Sequence, residues 1–290
     1  MIERKPEMNM DQYPEKIFAD RISGTEVSRS FEITRFENGA PVSDRHELIG
    51  EEPLLMRIEE NPYSVVMRTP GDEVFHAAGF CLAEGIVDGH TDFNSIGFCA
   101  DMDPNVVEIT LAPERLKKVA PLLQRKGFVS QTSCGICGKG FIDEISQILK
   151  RGDINKRLTP DEIRMAGERL EETQKLYNIT RGSHAIVVLD NNLEVISKGE
   201  DVGRHNALDK AIGKALMGKK LLDAFMVVLS SRISFEMIQK ANRAGIFFIL
   251  SASRPTALAV ELANSLNMTL VCLSDWKDII VFSGQERIIW

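Results

Sequence analysis

With 290 residues, 43% of them hydrophobic and 27% charged, the chain has the composition of a soluble globular protein and enough length to bury a substantial core. A net charge of −7 excludes bulk attraction to nucleic acid or to an anionic membrane and leaves room only for a local basic pocket. No apolar run approaches the ~20 residues needed to cross a bilayer, and Met1 to Asp20, charged and broken by Pro6 and Pro14, lacks the apolar centre of a signal peptide.

The expectation is therefore a cytoplasmic protein whose thiols stay reduced. Its five cysteines make no disulfide framework, and Cys81, Cys99 and Cys272 read as small core residues.

Residues 1–30 lack periodicity and read as a variable extension. Residues 31–128 read as a β-rich N-terminal portion. From Phe31 to Thr69, short apolar runs such as Tyr63-Ser64-Val65-Val66-Met67 alternate with turn residues, as strands do. Thr69-Pro70-Gly71-Asp72 forms a turn before a helix over Val74 to Ala83. Val106 to Leu111 reads as a strand and Pro113 to Leu123 as an amphipathic helix.

Residues 129–140 have no regular period and read as a loop, followed by a helix over Phe141 to Leu149. Lys156 to Tyr177 is helical, opened by Thr159-Pro160-Asp161-Glu162, where Thr159 is a cap, Pro160 suits the first helical position and Glu162 completes a capping box.

The rest of residues 141–290 follows an α/β pattern. His184 to Leu189 and Leu193 to Lys198 flank Asp190-Asn191-Asn192 as a hairpin. Ala207 to Met217 is helical. Three apolar runs, Ala224 to Leu229, Ile246 to Leu250 and Thr269 to Leu273, are separated by helices over Phe235 to Ala244 and Thr256 to Leu266. That alternation predicts a largely parallel sheet covered by helices, intimately joined to the β-rich portion.

Three constellations carry chemistry. Cys134 and Cys137, in Ser133-Cys134-Gly135-Ile136-Cys137-Gly138-Lys139-Gly140, can converge on one point, and glycines frame them. A lone CxxC is half a zinc site, a dithiol redox centre or a sulfur-transfer site. A closed zinc site needs four ligands, and the His-x-Glu of zinc deaminases is absent. The glycines disfavour a helix opening at Cys134, as a thioredoxin-like dithiol requires.

The second constellation is the pair of loops after the apolar runs, Ser230-Ser231-Arg232 and Ser251-Ala252-Ser253-Arg254-Pro255-Thr256. Strand ends followed by helix N-termini suit a phosphate, and arginine adds a bidentate contact. The same serines and Thr256 serve equally well as helix caps. The third is Gly199 to Lys210, in which seven of twelve residues are charged, imidazole or carboxamide. Arg204, His205 and Asn206 stand at its centre, immediately before an apolar helix.

Taken together, these motifs resemble the formate dehydrogenase accessory sulfurtransferases, the FdhD-type proteins. The likeness runs through Met67-Arg68-Thr69-Pro70-Gly71-Asp72, Glu84-Gly85-Ile86, Ser133-Cys134-Gly135-Ile136-Cys137-Gly138 and Glu200-Asp201-Val202-Gly203-Arg204-His205-Asn206-Ala207-Leu208-Asp209-Lys210. It continues through Arg232-Ile233-Ser234-Phe235-Glu236 and Leu258-Ala259-Val260-Glu261-Leu262-Ala263, and covers nearly everything from about Phe31 onward. Where the family commonly has Thr-Gly-Gly before a histidine-bearing strand, this chain has Thr180-Arg181-Gly182-Ser183-His184.

The resemblance implies a three-layer α/β fold like that of cytidine deaminases, with helices on both faces of the sheet, without their zinc, and as a homodimer. It implies a sulfurtransferase that accepts persulfide sulfur from a cysteine desulfurase. The sulfur passes to the molybdenum cofactor, bis-molybdopterin guanine dinucleotide, for the catalytic subunit of formate dehydrogenase. Cys134 would carry the persulfide, with Cys137 sharing the relay. Arg204, His205, Asn206, Ser230, Arg232, Ser251 and Ser253 would hold the cofactor. The segment Leu273-Ser274-Asp275-Trp276-Lys277-Asp278 would approach its nucleotide, Trp276 and Lys277 replacing the family's usual stacking and charge.

Overall fold

The computed structural model of the chain describes residues 26–98, 103–125, 149–153, 155–274 and 278–290. Its first elements are strands made by local turn chemistry. β1 (Ser28–Glu37) and β2 (Ala40–Ile49) pair antiparallel through Asn38 and Gly39, both at positive φ, the conformation a two-residue hairpin loop demands.

β3 (Glu52–Ile58) and β4 (Asn61–Arg68) reverse at Glu59 and Glu60, also at positive φ. α1 (Glu73–Ala83) follows, then β5 (Phe93–Phe98), β6 (Val106–Leu111) and α2 (Pro113–Arg125). The four-stranded sheet runs β4-β3-β6-β5, with β3 and β6 parallel.

α3 (Pro160–Glu171) begins with the expected capping box: Thr159 accepts from the Glu162 amide, and the Glu162 carboxylate accepts from the Thr159 amide. A separate short helix, α4 (Lys175–Thr180), replaces the single helix read through to Tyr177. The six-stranded sheet is built from β7 (His184–Asp190), β8 (Val195–Asp201), β9 (Ala224–Leu229), β10 (Phe248–Ser251), β11 (Thr269–Ser274) and β12 (Asp278–Ser283). α5 (Arg204–Met217) leads from β8 to β9, α6 (Phe235–Arg243) from β9 to β10 and α7 (Ala257–Ser265) from β10 to β11.

The strand order is β12-β11-β10-β9-β7-β8. Among the described residues of this sheet, the β9–β10 and β10–β11 pairs are parallel, whereas β12 joins β11, β7 joins β9 and β8 joins β7 antiparallel. The expectation of a largely parallel sheet is corrected on this point. A parallel crossover needs a dozen or more residues, which α6 and α7 provide, whereas short reversals attach β8 and β12. β5 and β12 were not anticipated as strands.

Helices cover both faces of this sheet. Ile163, Ala166 and Leu170 of α3 bury one face against Ala185, Val187, Met226, Val228 and Leu250. The other face, with Ile186, Val227, Ile249 and Leu270, joins a larger core that runs through α5, α6 and α1 to Leu54, Met56, Val107 and Ile109 of the four-stranded sheet. The β-rich portion and the helix-covered sheet therefore share one interior.

α1 and α5 meet at backbone contact. A Cβ on Gly79 would lie 2.0 Å from the Asp209 carbonyl oxygen, and one on Gly213 would lie 1.8 Å from that of Phe75. Glycine is the residue that permits this approach.

Candidate functional site

Strand direction gathers one set of residues along one sheet edge. β9, β10 and β11 end there in Leu229, Ser251 and Ser274, while the antiparallel β7 begins there with His184, opposite Asp201 at the end of β8. β12 begins there too, with Asp278 opposite Ser274. Ligands in α/β sheets favour such an edge, and the Arg204-His205-Asn206 segment opens α5 immediately after β8.

His205 is fixed from α6. Its Nε2 lies 2.9 Å from the Glu236 carboxylate and 3.3 Å from the Ser234 hydroxyl. The hydrogen bond from His205 holds the Glu236 carboxyl below its usual range; burial opposes this, and the charges of His205, Arg204 and Lys240 reinforce it.

Burial lowers the His184 imidazole, and the positive charges of Arg204, His205 and Arg232 push it the same way against Asp201. Arg204, His205 and Arg232 thus act electrostatically on one imidazole at the sheet edge. Arg204 Nε is buried without a hydrogen-bond partner among the described residues. An unsatisfied guanidinium N–H is costly in the protein and suited to accept an anionic oxygen as partner.

The structure divides the expected site residues. Arg204, His205 and Arg232 come together. Asn206 turns inward, its amide donating to the Met67 carbonyl at 2.8 Å and to Asp201 at 2.9 Å, so it shapes the turn. Ser230 and Ser251 also act on the backbone. The Ser230 hydroxyl accepts from the Ala185 amide, and the fully buried Ser251 hydroxyl donates to the Ser231 carbonyl and accepts from the Ser253 amide.

Ser253 is half-buried between these groups, and Arg254 is exposed. The Leu273 side chain is buried in the core shared with α3. Ser274 is half-buried and Asp278 exposed at the edge. Cys134, Cys137, Asp275, Trp276 and Lys277 lie outside the described residues, as do Cys99 and the helix expected from Phe141, apart from Leu149.

Two residues that the structure brings to the candidate site were not singled out from the sequence, His184 and Glu236. The hairpin register would have revealed His184, because pairing β7 with β8 sets it opposite Asp201. Glu236 needed the tertiary approach of α6 to α5. Among the described residues, no group of three or more His, Cys, Asp and Glu side chains is arranged to hold a metal, and no helix is long and apolar enough to cross a membrane.

A mixed α/β protein with a cationic, imidazole-bearing sheet edge is the class that fold and site define. Residues 49–289 match the model of the FdhD/NarQ family, and the chain belongs to that family. Its relatives include the sulfur carrier protein FdhD of Streptomyces coelicolor, 33% identical over 272 residues, which are 90% of this chain and 96% of that protein. The protein of the same name from Sulfurisphaera tokodaii is 35% identical over 243 residues, 82% of this chain and 90% of that one.

The fold is also that of a crystal structure described as a formate dehydrogenase accessory protein from Desulfotalea psychrophila. The TM-score is 0.72 at 23% identity, covering 91% of this chain and all of that one.

Proposed function

We propose that this protein is a cytoplasmic sulfur carrier for formate dehydrogenase maturation, taking persulfide sulfur from a cysteine desulfurase and delivering it to bis-molybdopterin guanine dinucleotide. The likeness to proteins named sulfur carriers supports the general role. The observation that supports a cofactor site at this edge is the Arg204 Nε, without a hydrogen-bond partner among the described residues, in the same electrostatic neighbourhood as His184, His205 and Arg232. A guanine dinucleotide brings diphosphate oxygens, which such a group pairs with better than water does in a half-buried setting.

In the sulfur step, the Cys134 thiolate attacks the outer sulfur of the desulfurase persulfide. The new S–S bond leaves Cys134 as a persulfide, and the desulfurase cysteine departs as a thiolate. Cys137 then either attacks the inner sulfur of that persulfide, closing a disulfide and releasing hydrosulfide, or takes the outer sulfur itself. The terminal sulfur is soft and suits a soft metal acceptor. The protein works as a homodimer and serves the catalytic subunit of the dehydrogenase.

Incubation with a desulfurase and sulfur-labelled cysteine tests the relay. Label should reach Cys134 and be lost in Cys134→Ala, along with activation of the dehydrogenase. Full labelling and activation in a Cys134→Ala, Cys137→Ala double variant would sink the relay.

A further inference from the structure

All three polar groups of Thr69, in the turn after β4, are taken by the segment that carries the site. Its amide donates to Asp201 Oδ2 at 3.0 Å, its hydroxyl accepts from the Val202 amide at 3.0 Å, and its carbonyl accepts from Lys210 Nζ at 2.7 Å. Lys210 Nζ also lies 2.8 Å from Asp201 Oδ2. The other Asp201 oxygen accepts from the Gly203 amide at 2.8 Å and from Asn206 at 2.9 Å. Thr69, Asp201 and Lys210 are all buried.

A buried ion pair is a poor source of stability, because desolvation offsets most of its attraction and apolar residues of equal volume often do as well. What apolar side chains cannot do is bind the amides of Val202 and Gly203 and the carboxamide of Asn206. Those groups frame Arg204 and His205, the two residues that the proposed anion site assigns to the ligand. The polar cluster therefore specifies a backbone path more than it adds stability.

We propose that Thr69, acting with Asp201 and Lys210, is a positioning residue that sets the Val202 to Asn206 turn and thereby aims Arg204 and His205 at the bound anion. This inference rests on the phosphate-binding reading of that edge. It makes the N-terminal β-rich portion part of the site's geometry, although no residue of that portion need touch the ligand.

Guanosine diphosphate serves as the probe, with affinity measured by titration calorimetry on the full chain. Thr69→Val keeps the shape and removes the hydroxyl; Thr69→Ser keeps the hydroxyl. Thr69→Val should bind about fivefold more weakly, and Thr69→Ser should stay within about twofold of the wild type.

Amide exchange adds a readout that general destabilisation would not mimic. It should quicken at Val202 in Thr69→Val while Val187 in β7 stays as protected as before. Wild-type affinity in Thr69→Val, or equal weakening in both variants, would overturn the positioning role. A wild-type chain that binds no guanosine diphosphate would overturn instead the phosphate-site reading beneath it.

Discussion

His205 and Glu236 stand 2.9 Å apart across the meeting of two helix N-termini, the imidazole on α5 and the carboxylate on α6. Each helix end is a region of positive partial charge, so the carboxylate is favoured there both by the dipole and by the imidazole. Because the Glu236 pKa is depressed on folding, its share of stability is fully present above the ordinary carboxylate range and is lost as pH falls through the lowered value.

Glu236→Gln should therefore be slightly less stable than the wild type at pH 7, by no more than about 1 kcal/mol for so exposed a carboxylate. The difference should close on acidification below about pH 4.5, near the ordinary glutamate value. Urea unfolding at stepped pH reads this out, and a gap that widens toward acid would contradict the assignment.

The helix contact between α1 and α5 yields a sharper test. At Gly213 a methyl group would sit 1.8 Å from the Phe75 carbonyl oxygen, with backbone on the facing side and no flexible side chain to give way. Gly213→Ala should cost about 3 kcal/mol or more, at the upper end of overpacking penalties. Gly97→Ala, where nothing among the described residues lies within 4 Å of the added carbon, is the matched control and should shift stability little. Both are read from the denaturant midpoint, and equal effects would refute the close approach.

His76 makes stability depend on pH near neutrality. It is fully buried in α1, and its ring nitrogens make no hydrogen bond of normal geometry among the described residues. Burial and then the charges of Lys210, Lys240 and Arg68 hold it well below the usual histidine range. The Asn206 side chain is the least of these influences and works the other way.

The folded state therefore refuses a proton that the unfolded chain accepts near pH 6.5, and stability should fall as pH drops below that value, by up to ~1.4 kcal/mol per pH unit for one such site. His184 is shifted the same way and adds to the slope. In His76→Leu the slope between pH 7 and pH 5.5 should shrink to the part owed to His184. An unchanged slope would assign the effect elsewhere.

Legibility in the sequence followed the range of the interaction involved. Local signals were reliable: Asp190-Asn191-Asn192 marked its hairpin, and Thr159 to Glu162 its capping box, because both are complete within a few residues. The parallel core strands were legible as apolar runs between helices. Strand direction at the sheet's ends was not, since β12 is attached by pairing alone and its alternation is weak.

At the site, Arg204 and His205 stood out by density of charge. Asn206, Ser230 and Ser251 also hold the local fold, Asn206 through the Met67 carbonyl and the Asp201 carboxylate and the two serines through backbone groups, contacts set by tertiary register that no local pattern encodes. His184 and Glu236 come within electrostatic reach of Arg204 and His205 only when β7, α5 and α6 converge.

Cysteine chemistry should be confined to part of the chain. Cys272 is buried at the end of β11, its thiol directed at the Ser253 carbonyl, and burial pushes its pKa up to about 12 against the opposing charge of Arg254. Burial raises Cys81 further still, with Glu84 and Asp209 adding to the rise. At pH 8 neither has an appreciable thiolate fraction, and the thiolate is the reactive form. Iodoacetamide on the native protein should leave Cys81 and Cys272 unmodified by peptide mass spectrometry and label both after denaturation. Rapid native labelling of Cys272 would mean that the sheet edge opens, and sulfur-transfer assays would then have to count it among the acceptors.

Arg204 and Arg232 separate two ways in which a cation can serve an anion site. Arg204 is half-buried with an Nε that has no hydrogen-bond partner among the described residues, whereas Arg232 is exposed at the mouth of the β9 loop. A buried charge-assisted hydrogen bond contributes more than a screened surface charge, and it resists salt better. Arg204→Lys keeps the charge but loses the planar fork of donors.

Guanosine diphosphate affinity should therefore drop roughly tenfold or more in Arg204→Ala and be only partly restored in Arg204→Lys. Arg232→Ala should lose roughly threefold at low ionic strength, a difference that largely disappears at 0.5 M salt because the screening length is then shorter than the reach of an exposed side chain. If the two alanine variants lose affinity equally and with the same salt dependence, the anion is held at the surface, and the buried Arg204 nitrogen is not its partner.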